Sequence, residues 1–174
     1  MIDENEYVIL VDENDTELGL MPKMEAHEKG VLHRAFSVFV FNQKGEVMLQ
    51  QRAYEKYHSG GLWTNTCCSH PRKDETVLEA AHRRMEEEMG FDCELVKQFH
   101  FIYNRKLDKG LTEHELDHVV FGKFDGKPNL NPEEVAAYKW VNMQELKTDI
   151  QNNPEIYTEW FKICFDEVFE RSFA

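Results

Sequence analysis

Apolar and polar positions along the chain first predict strands. "EYVILVD" (6–12) carries an apolar centre between acidic ends and predicts a strand, with a turn over "ENDTELG" (13–19). "LHRAFSVFVFN" (32–42) is long and β-rich, and "QKG" turns it into "EVMLQQRA" (46–53), so the two runs predict a hairpin. "YEKYHSGG" (54–61) reads as a loop. "LWTNTCCSH" (62–70) reads as a short extended stretch that Pro71 ends. The period then changes. In "TVLEAAHRRMEEEMG" (76–90), Val77, Ala81, Met85 and Met89 form a stripe at helical spacing. Thr76 and Glu79 have the spacing of a capping box, and Gly90 suits the position just past a helix end. "FHFIYNRKL" (99–107) and "EHELDHVVFGKF" (113–124) predict a second β pair joined through "DKGLT", and "AAYKWVN" (136–142) a further strand. "NMQE" opens a helix with a capping-box pattern. Pro154 opens a C-terminal helix with Ile156, Trp160, Ile163 and Cys164 near one face. The pattern is α+β, with a mixed sheet and helices packed against it.

Composition narrows the setting. The 174 residues favour one domain spanning 1–174, with a core large enough to need no staples. The acidic N-terminus is neither a signal nor a transit peptide, and no apolar run is long enough to cross a bilayer. A formal net charge of −13 disfavours nucleic acid and anionic membrane as partners, so an anionic ligand would need cations built into its pocket. The four cysteines form no spaced disulfide framework. Neighbouring Cα atoms are ~3.8 Å apart, below the usual disulfide range of about 4.4–6.8 Å, so Cys67 and Cys68 do not pair. Free thiols in a reducing cytoplasm fit this usage.

"NTCCSHP" (65–71) leaves metal binding, nucleophilic catalysis, proton transfer and plain packing open. In an extended segment alternate residues share a face, so Cys68 and His70 point one way and Cys67 and Ser69 the other. The same rule puts Glu113 and Glu115 on one face, Asp117 behind them, and His114 opposite. Two carboxylates on one strand face repel unless a cation or a shared proton holds them. With His27, His33 and His70 they would suit a divalent metal of five or six coordination, Mn2+, Mg2+ or Zn2+. From spacing alone each histidine is more often a surface or core residue. On the helix, Arg83–Glu87 and Arg84–Glu88 have the spacing of ordinary i, i+4 ion pairs. Arg52 and Lys56 read equally as solvated charges, and Trp63 and Trp160 as core.

Two motifs carry a resemblance. "SHPRKDETVLEAAHRRMEEEMGF" resembles the Nudix signature, G-x5-E-x7-R-E-U-x-E-E-x-G-U with U a bulky apolar residue. Glu75, Arg83, Glu87, Glu88, Gly90 and Phe91 are in register. Ser69 replaces the first glycine and Arg84 the glutamate after the arginine. That glutamate normally helps to hold catalytic Mg2+, so ordinary diphosphate hydrolysis is not what this pattern implies. "LHRAFSVFVFN", "QQRAYEK", "GLWTNTCCSHP" and "EHEL" are similar to the type 1 isopentenyl-diphosphate isomerases, Nudix-fold enzymes, over nearly the whole chain.

The resemblance implies a Nudix fold, a mixed sheet with helices on both faces, extended at each end in the isomerase manner. It implies Cys68 as the catalytic cysteine, and His27, His33, His70, Glu113 and Glu115 as ligands of a divalent metal. Glu88 would hold a Mg2+ that accompanies the substrate diphosphate, and Lys23, Arg52, Lys56 and Arg84 would grip that diphosphate. Arg84 then makes chemical sense, as a metal ligand turned into a phosphate-holding cation. The implied reaction interconverts isopentenyl and dimethylallyl diphosphate, isoprenoid precursors, through a tertiary cation at C3. It needs an acid and a base on opposite sides of a dry pocket, positions that Cys68 and Glu115 suit. Tyr103 would hydrogen-bond Glu115, and Trp160 would offer a π face to the cation, worth ~2 kcal/mol when desolvated. Two other readings are a Nudix hydrolase of nucleoside diphosphate derivatives, opposed by Arg84, Cys68 and the Glu113–Glu115 pair, and a silent binding domain.

Overall fold

The computed structural model describes residues 6–173. Strands β1 (Tyr7–Val11) and β2 (Glu17–Pro22) form an antiparallel hairpin, and helix α1 (Lys23–Lys29) follows directly. The expected turn over 13–19 therefore ends early, because "ELG" already pairs with β1. Helix α1 carries no periodic signal in the sequence. Seven residues are two turns, too short to repeat a face.

Strands β3 (His33–Phe41) and β4 (Glu46–Arg52) meet as a hairpin only at its base, Phe41 opposite Val47. Beyond that point they splay, and residues 63–69 fill the gap. Strand β5 (Trp63–Thr64) pairs with β4, and β6 (Cys67–Ser69) pairs with β3. Thr66 is the wedge: its hydroxyl accepts from the Val40 N–H at 2.9 Å and donates to the Met48 carbonyl at 2.6 Å. One side chain thus bonds to both strands where they part, and β5 and β6 take up further ladder bonds.

Helix α2 (Val77–Arg84) starts with the expected capping box, Thr76 Oγ1 accepting from the Glu79 N–H and Glu79 accepting from the Thr76 N–H. Its end departs from expectation. Met85–Met89 is a π turn, closed by Gly90 in the left-handed region at φ 68°. The freed carbonyls of Glu88 and Met89 accept from the Asn131 and Asn129 N–H groups at 2.9 and 2.8 Å. A Cβ on Gly90 would stand 2.3 Å from the Asn129 carbonyl oxygen, so the close approach of this loop requires glycine.

Strands β7 (Leu95–Lys106) and β8 (Thr112–Lys123) form the second hairpin, joined by a 3-10 turn at Asp108–Gly110. β8 also pairs parallel with β3 along its length, from His33–Glu115 to Phe41–Lys123. β9 (Val135–Asn142) runs antiparallel to β4. Asn142 caps α3 (Met143–Asn152) through the Gln144 and Glu145 N–H groups. Pro154 opens only a 3-10 turn. The terminal helix α4 (Glu159–Ser172) begins after Thr158, and Ile163 is exposed rather than on the buried face.

Alternation along β3 decides the layers. Phe36, Val38 and Val40 pack with Met48 and Cys67 under α2 and the π turn. Phe39 and Phe41 pack on the opposite side with Val47, Leu49 and the α4 residues Trp160, Phe161 and Phe165. β3 is thus buried on both faces, and the helices lie on both faces of the mixed sheet. Among the described residues no helix is long and apolar enough to cross a membrane.

Candidate active site

The splay of β3 and β4 opens a cleft, and β6 presents its residues to the two sides as alternation requires. Cys67 lies opposite Val38 and is fully buried in the core under α2. Cys68 lies opposite Ser37 and borders the cleft with His70; Ser69, at the strand's end, also touches its rim. Burial pushes the Cys68 thiol well up, and the Arg52 guanidinium, 3.9 Å away, only partly draws it back. At neutral pH Cys68 is therefore a protonated thiol, a proton donor and not a ready nucleophile.

The sheet register builds the floor. β8 sits between β3 and β7, so Glu115 has His33 opposite on one side and Tyr103 on the other. The Tyr103 hydroxyl is 2.6 Å from Glu115 Oε1 and 2.8 Å from Glu113 Oε2 and bridges the two carboxylates. His33 and His70 place Nε2 at 2.9 and 2.7 Å from Glu115 Oε2. His27 Nδ1–H donates to the Lys23 carbonyl at 2.7 Å, and His33 Nδ1–H to the Val31 carbonyl at 2.8 Å. A carbonyl only accepts, so in the neutral rings both Nε2 lone pairs turn inward.

Donor atoms of His27, His33, His70 and Glu115 lie within 4.8 Å of one another, and those of His27, His58 and Glu113 form an adjoining group. Four of the five expected ligands therefore gather in one cluster, with Glu113 next to it through His27. Burial brings His70 down to about 4 against the pull of Glu115. Burial works to raise Glu113, and only protonated forms of His58 and His27 would pull it well below the usual carboxylate range. Asp117, behind them, is pushed well up by burial and Glu115 and accepts from the Ser37 hydroxyl at 2.8 Å. Buried imidazole lone pairs and ionised carboxylates at these separations form a donor set that can bind a divalent cation.

The mouth of the cleft is cationic. Lys23, Arg52, Lys56 and Arg84 all border it. Each lysine is paired, Lys23 with Glu6 at 3.1 Å and Lys56 with Glu134. Arg84 reaches Glu87 at 2.9 Å, Glu134 at 3.3 Å, and Glu88. The i, i+4 pairing and the place in the cleft are thus both true of Arg84. Glu88 does not itself border the cleft. It is buried behind Arg84 and takes a hydrogen bond from Gln50 Nε2 at 3.1 Å. The motif residues Thr64 and Asn65 anchor α4: Thr64 Oγ1 meets Thr158 Oγ1 at 2.8 Å, and the Trp160 indole N–H donates to Asn65 Oδ1 at 3.2 Å. That fixes the Trp160 ring in the cleft wall, with the Arg52 guanidinium 5.3 Å from its centre.

Sequence reasoning missed Glu6, Tyr57, His58, Arg72 and Glu134, which also line the cleft. Alternation identifies faces only within strands, and these residues lie in loops or at element ends. For His58 one signal exists, a histidine two residues after Lys56 in a glycine loop beside "LWTN".

The NUDIX domain family model matches residues 31–161. The chain is 56% identical over 161 residues to "Isopentenyl-diphosphate Delta-isomerase 2" of Aromatoleum aromaticum, covering 92% of this chain and 85% of that one. It is 54% identical over 158 residues to the protein of the same name from Photorhabdus laumondii, covering 91% and 89%. Among solved structures, the DR0079 protein of Deinococcus radiodurans superimposes with a TM-score of 0.76 at 18% identity, covering 97% of this chain and all of that one, a likeness of fold. Lys23 and His27 precede the matched segment and Trp160 stands at its end, so the cleft draws on chain beyond the common domain. The chain belongs to the Nudix family and, within it, to the isopentenyl-diphosphate Delta-isomerases.

Proposed function

We propose that this protein interconverts isopentenyl and dimethylallyl diphosphate, a step of isoprenoid precursor biosynthesis, with Cys68 and Glu115 as the acid–base pair. The observation that carries this reading is the meeting of a protonated buried thiol and a carboxylate in one cleft with a cationic mouth. The alkene gains a proton at C4, a tertiary cation forms at C3, and a proton leaves C2. One of the two groups gives the first proton and the other takes the second, so each turnover leaves their protonation exchanged. Tyr103, bonded to Glu115, orients the carboxylate. Trp160 offers its ring face to the cation, and the dry walls keep water from capturing it.

Lys23, Arg52, Lys56 and Arg84 grip the diphosphate without cleaving it, so its binding energy positions the alkene. Glu88 lies behind Arg84 and would hold a Mg2+ carried by that diphosphate once Arg84 turns to the phosphate. His27, His33, His70, Glu113 and Glu115 would hold a divalent cation, Mn2+, Mg2+ or Zn2+. When bound, that cation supplies the positive charge that fixes Glu115 and tunes its acidity. The chain works as one Nudix domain with isomerase-type additions at both ends. Four free cysteines suit a cytoplasmic setting. The acidic net charge suits a small-molecule substrate and neither nucleic acid nor membrane.

The test is incubation of metal-loaded protein with isopentenyl diphosphate in D2O, followed by NMR. Dimethylallyl diphosphate should appear with deuterium in the methyl group derived from C4, and no phosphate should be released. Phosphate release without a double-bond shift would reject the reading in favour of a hydrolase.

A further inference from the structure

A fourth histidine reaches the floor of the cleft from the loop between β4 and β5. His58 is 1% exposed, and its Nε2 lies 3.1 Å from Glu113 Oε1. His27 Nε2 lies 3.6 Å from the same oxygen. Neither nitrogen makes an aligned hydrogen bond, and both are buried. The plain alternative is that His58 neutralises Glu113 as a charged neighbour. That requires an N–H aimed at the carboxylate, and the alignment is lacking. On His27 the Nδ1–H is committed to the Lys23 carbonyl, which leaves Nε2 a bare lone pair. On His58, Nδ1 lies 3.0 Å from the Ser59 hydroxyl, which can take Nδ1–H and leave Nε2 bare too.

Two nitrogen lone pairs and a carboxylate oxygen then converge within 4.8 Å of one another. Such a grouping is repulsive unless a cation lies inside it. Ligands ~2.1 Å from one cation and at right angles stand about 3 Å apart, close to the separations seen here. The ring is held in this pose. It packs edge-on to Trp160 at 5.8 Å between centres and against Tyr57 at 4.3 Å, and its carbonyl accepts from Arg52 Nη2 at 3.1 Å.

We propose that His58 is a further ligand of the divalent cation at this floor, acting with His27 and Glu113 beside the cluster of His27, His33, His70 and Glu115. This rests on the metal-site reading above. An added imidazole should favour Zn2+ and Co2+ over Mg2+, which prefers oxygen. It also ties the cation to the loop that carries Lys56, one of the cations at the mouth.

The experiment strips the protein with a chelator and titrates it with Co2+, Zn2+ and Mg2+ against a competing indicator. It compares wild type, His58→Ala, His58→Gln and His70→Ala, with unfolding midpoints of the stripped proteins as a check on fold. Both His58 variants should lose about tenfold or more in Co2+ and Zn2+ affinity, lose less in Mg2+ affinity, and change the visible spectrum of bound Co2+. In the wild-type chain, nitrogen-15 histidine spectra should show the Nε2 of His58 shifting on Zn2+ addition together with those of His27, His33 and His70. Unchanged affinities and Co2+ spectra in both His58 variants, with affinity lost in His70→Ala, would overturn this inference alone. So would a His58 Nε2 resonance that ignores Zn2+. Affinity unchanged in His70→Ala as well would overturn the metal-site reading beneath it.

Discussion

The floor and the mouth of the cleft balance charge in opposite ways. At the floor, acids are buried and surrounded by imidazoles whose nitrogens face the same small space. At the mouth, Lys23, Lys56 and Arg84 are each held by a glutamate and Arg52 by the His58 carbonyl. The floor is fixed by strand register, which sets His33, Glu115 and Tyr103 side by side. The mouth is assembled from long side chains, and Arg84 meets Glu87, Glu88 and Glu134 together. The contrast teaches that chemistry and grip are separable here. Floor substitutions should act on turnover or metal, and mouth substitutions on KM.

The strongest way to break that separation is at β6. Cys68→Ala should lower kcat by about 10²–10⁴ and leave KM nearly unchanged, since a positioned acid–base group contributes that much. Cys67→Ala should keep most activity and cost ~1 kcal/mol of stability through a small cavity. Steady-state kinetics and denaturant unfolding read both, and a dead Cys67 variant beside an active Cys68 variant would reverse the face assignment. Next in size, His70→Ala should weaken divalent metal binding by at least about tenfold. Chelation should abolish wild-type activity, and Mg2+ or Mn2+ should restore it; full activity with no metal by elemental analysis would remove the cation from the floor.

At the mouth, Arg84→Glu should raise KM by about tenfold, because charge-assisted bonds worth ~1.5–3 kcal/mol become repulsion. Arg84→Lys should be milder, and neither variant should release phosphate. An unchanged KM would mean that Arg84 only pairs with Glu88. The smallest effect concerns Arg83, which faces away from the chemistry and grips both oxygens of Glu75 at 2.7 and 2.9 Å. That bond holds Glu75 below the usual carboxylate range. A depressed folded-state pKa stabilises above the unfolded value and is lost as pH falls through the folded one. Arg83→Met should therefore cost about 0.5–1 kcal/mol at neutral pH. The gap from wild type should close as pH drops below ~4, and thermal unfolding across that range checks it.

What the sequence revealed was local. The α2 cap, the β7–β8 hairpin and the opposed faces of Cys67 and Cys68 depend on residues within a few positions of one another. The five candidate metal ligands gave only a weak signal from spacing, and the mouth cations came only with the family resemblance, because lone histidines and lysines have no period. The parallel β3–β8 pairing, the splay held by Thr66 and the π turn depend on distant partners and leave no local trace. Glu134 is the clearest case: nothing in "NPEEVAAY" marks a glutamate that holds Lys56 and Arg84 from across the cleft.

The parallel pairing of β3 with β8 also orders events during synthesis. His33 and Glu115 are neighbours across the ladder yet 82 residues apart in the chain. The β7–β8 hairpin closes through a short turn and can form by itself, whereas its docking onto β3 must close a long loop. Until it docks, a nascent chain carries imidazoles on α1, β3 and the end of β6 with no carboxylate between them. On the proposed metal site, metal capture must therefore wait for the hairpin to dock. A stalled chain released before Thr112 should retain no divalent ion through gel filtration, while the full-length chain keeps it.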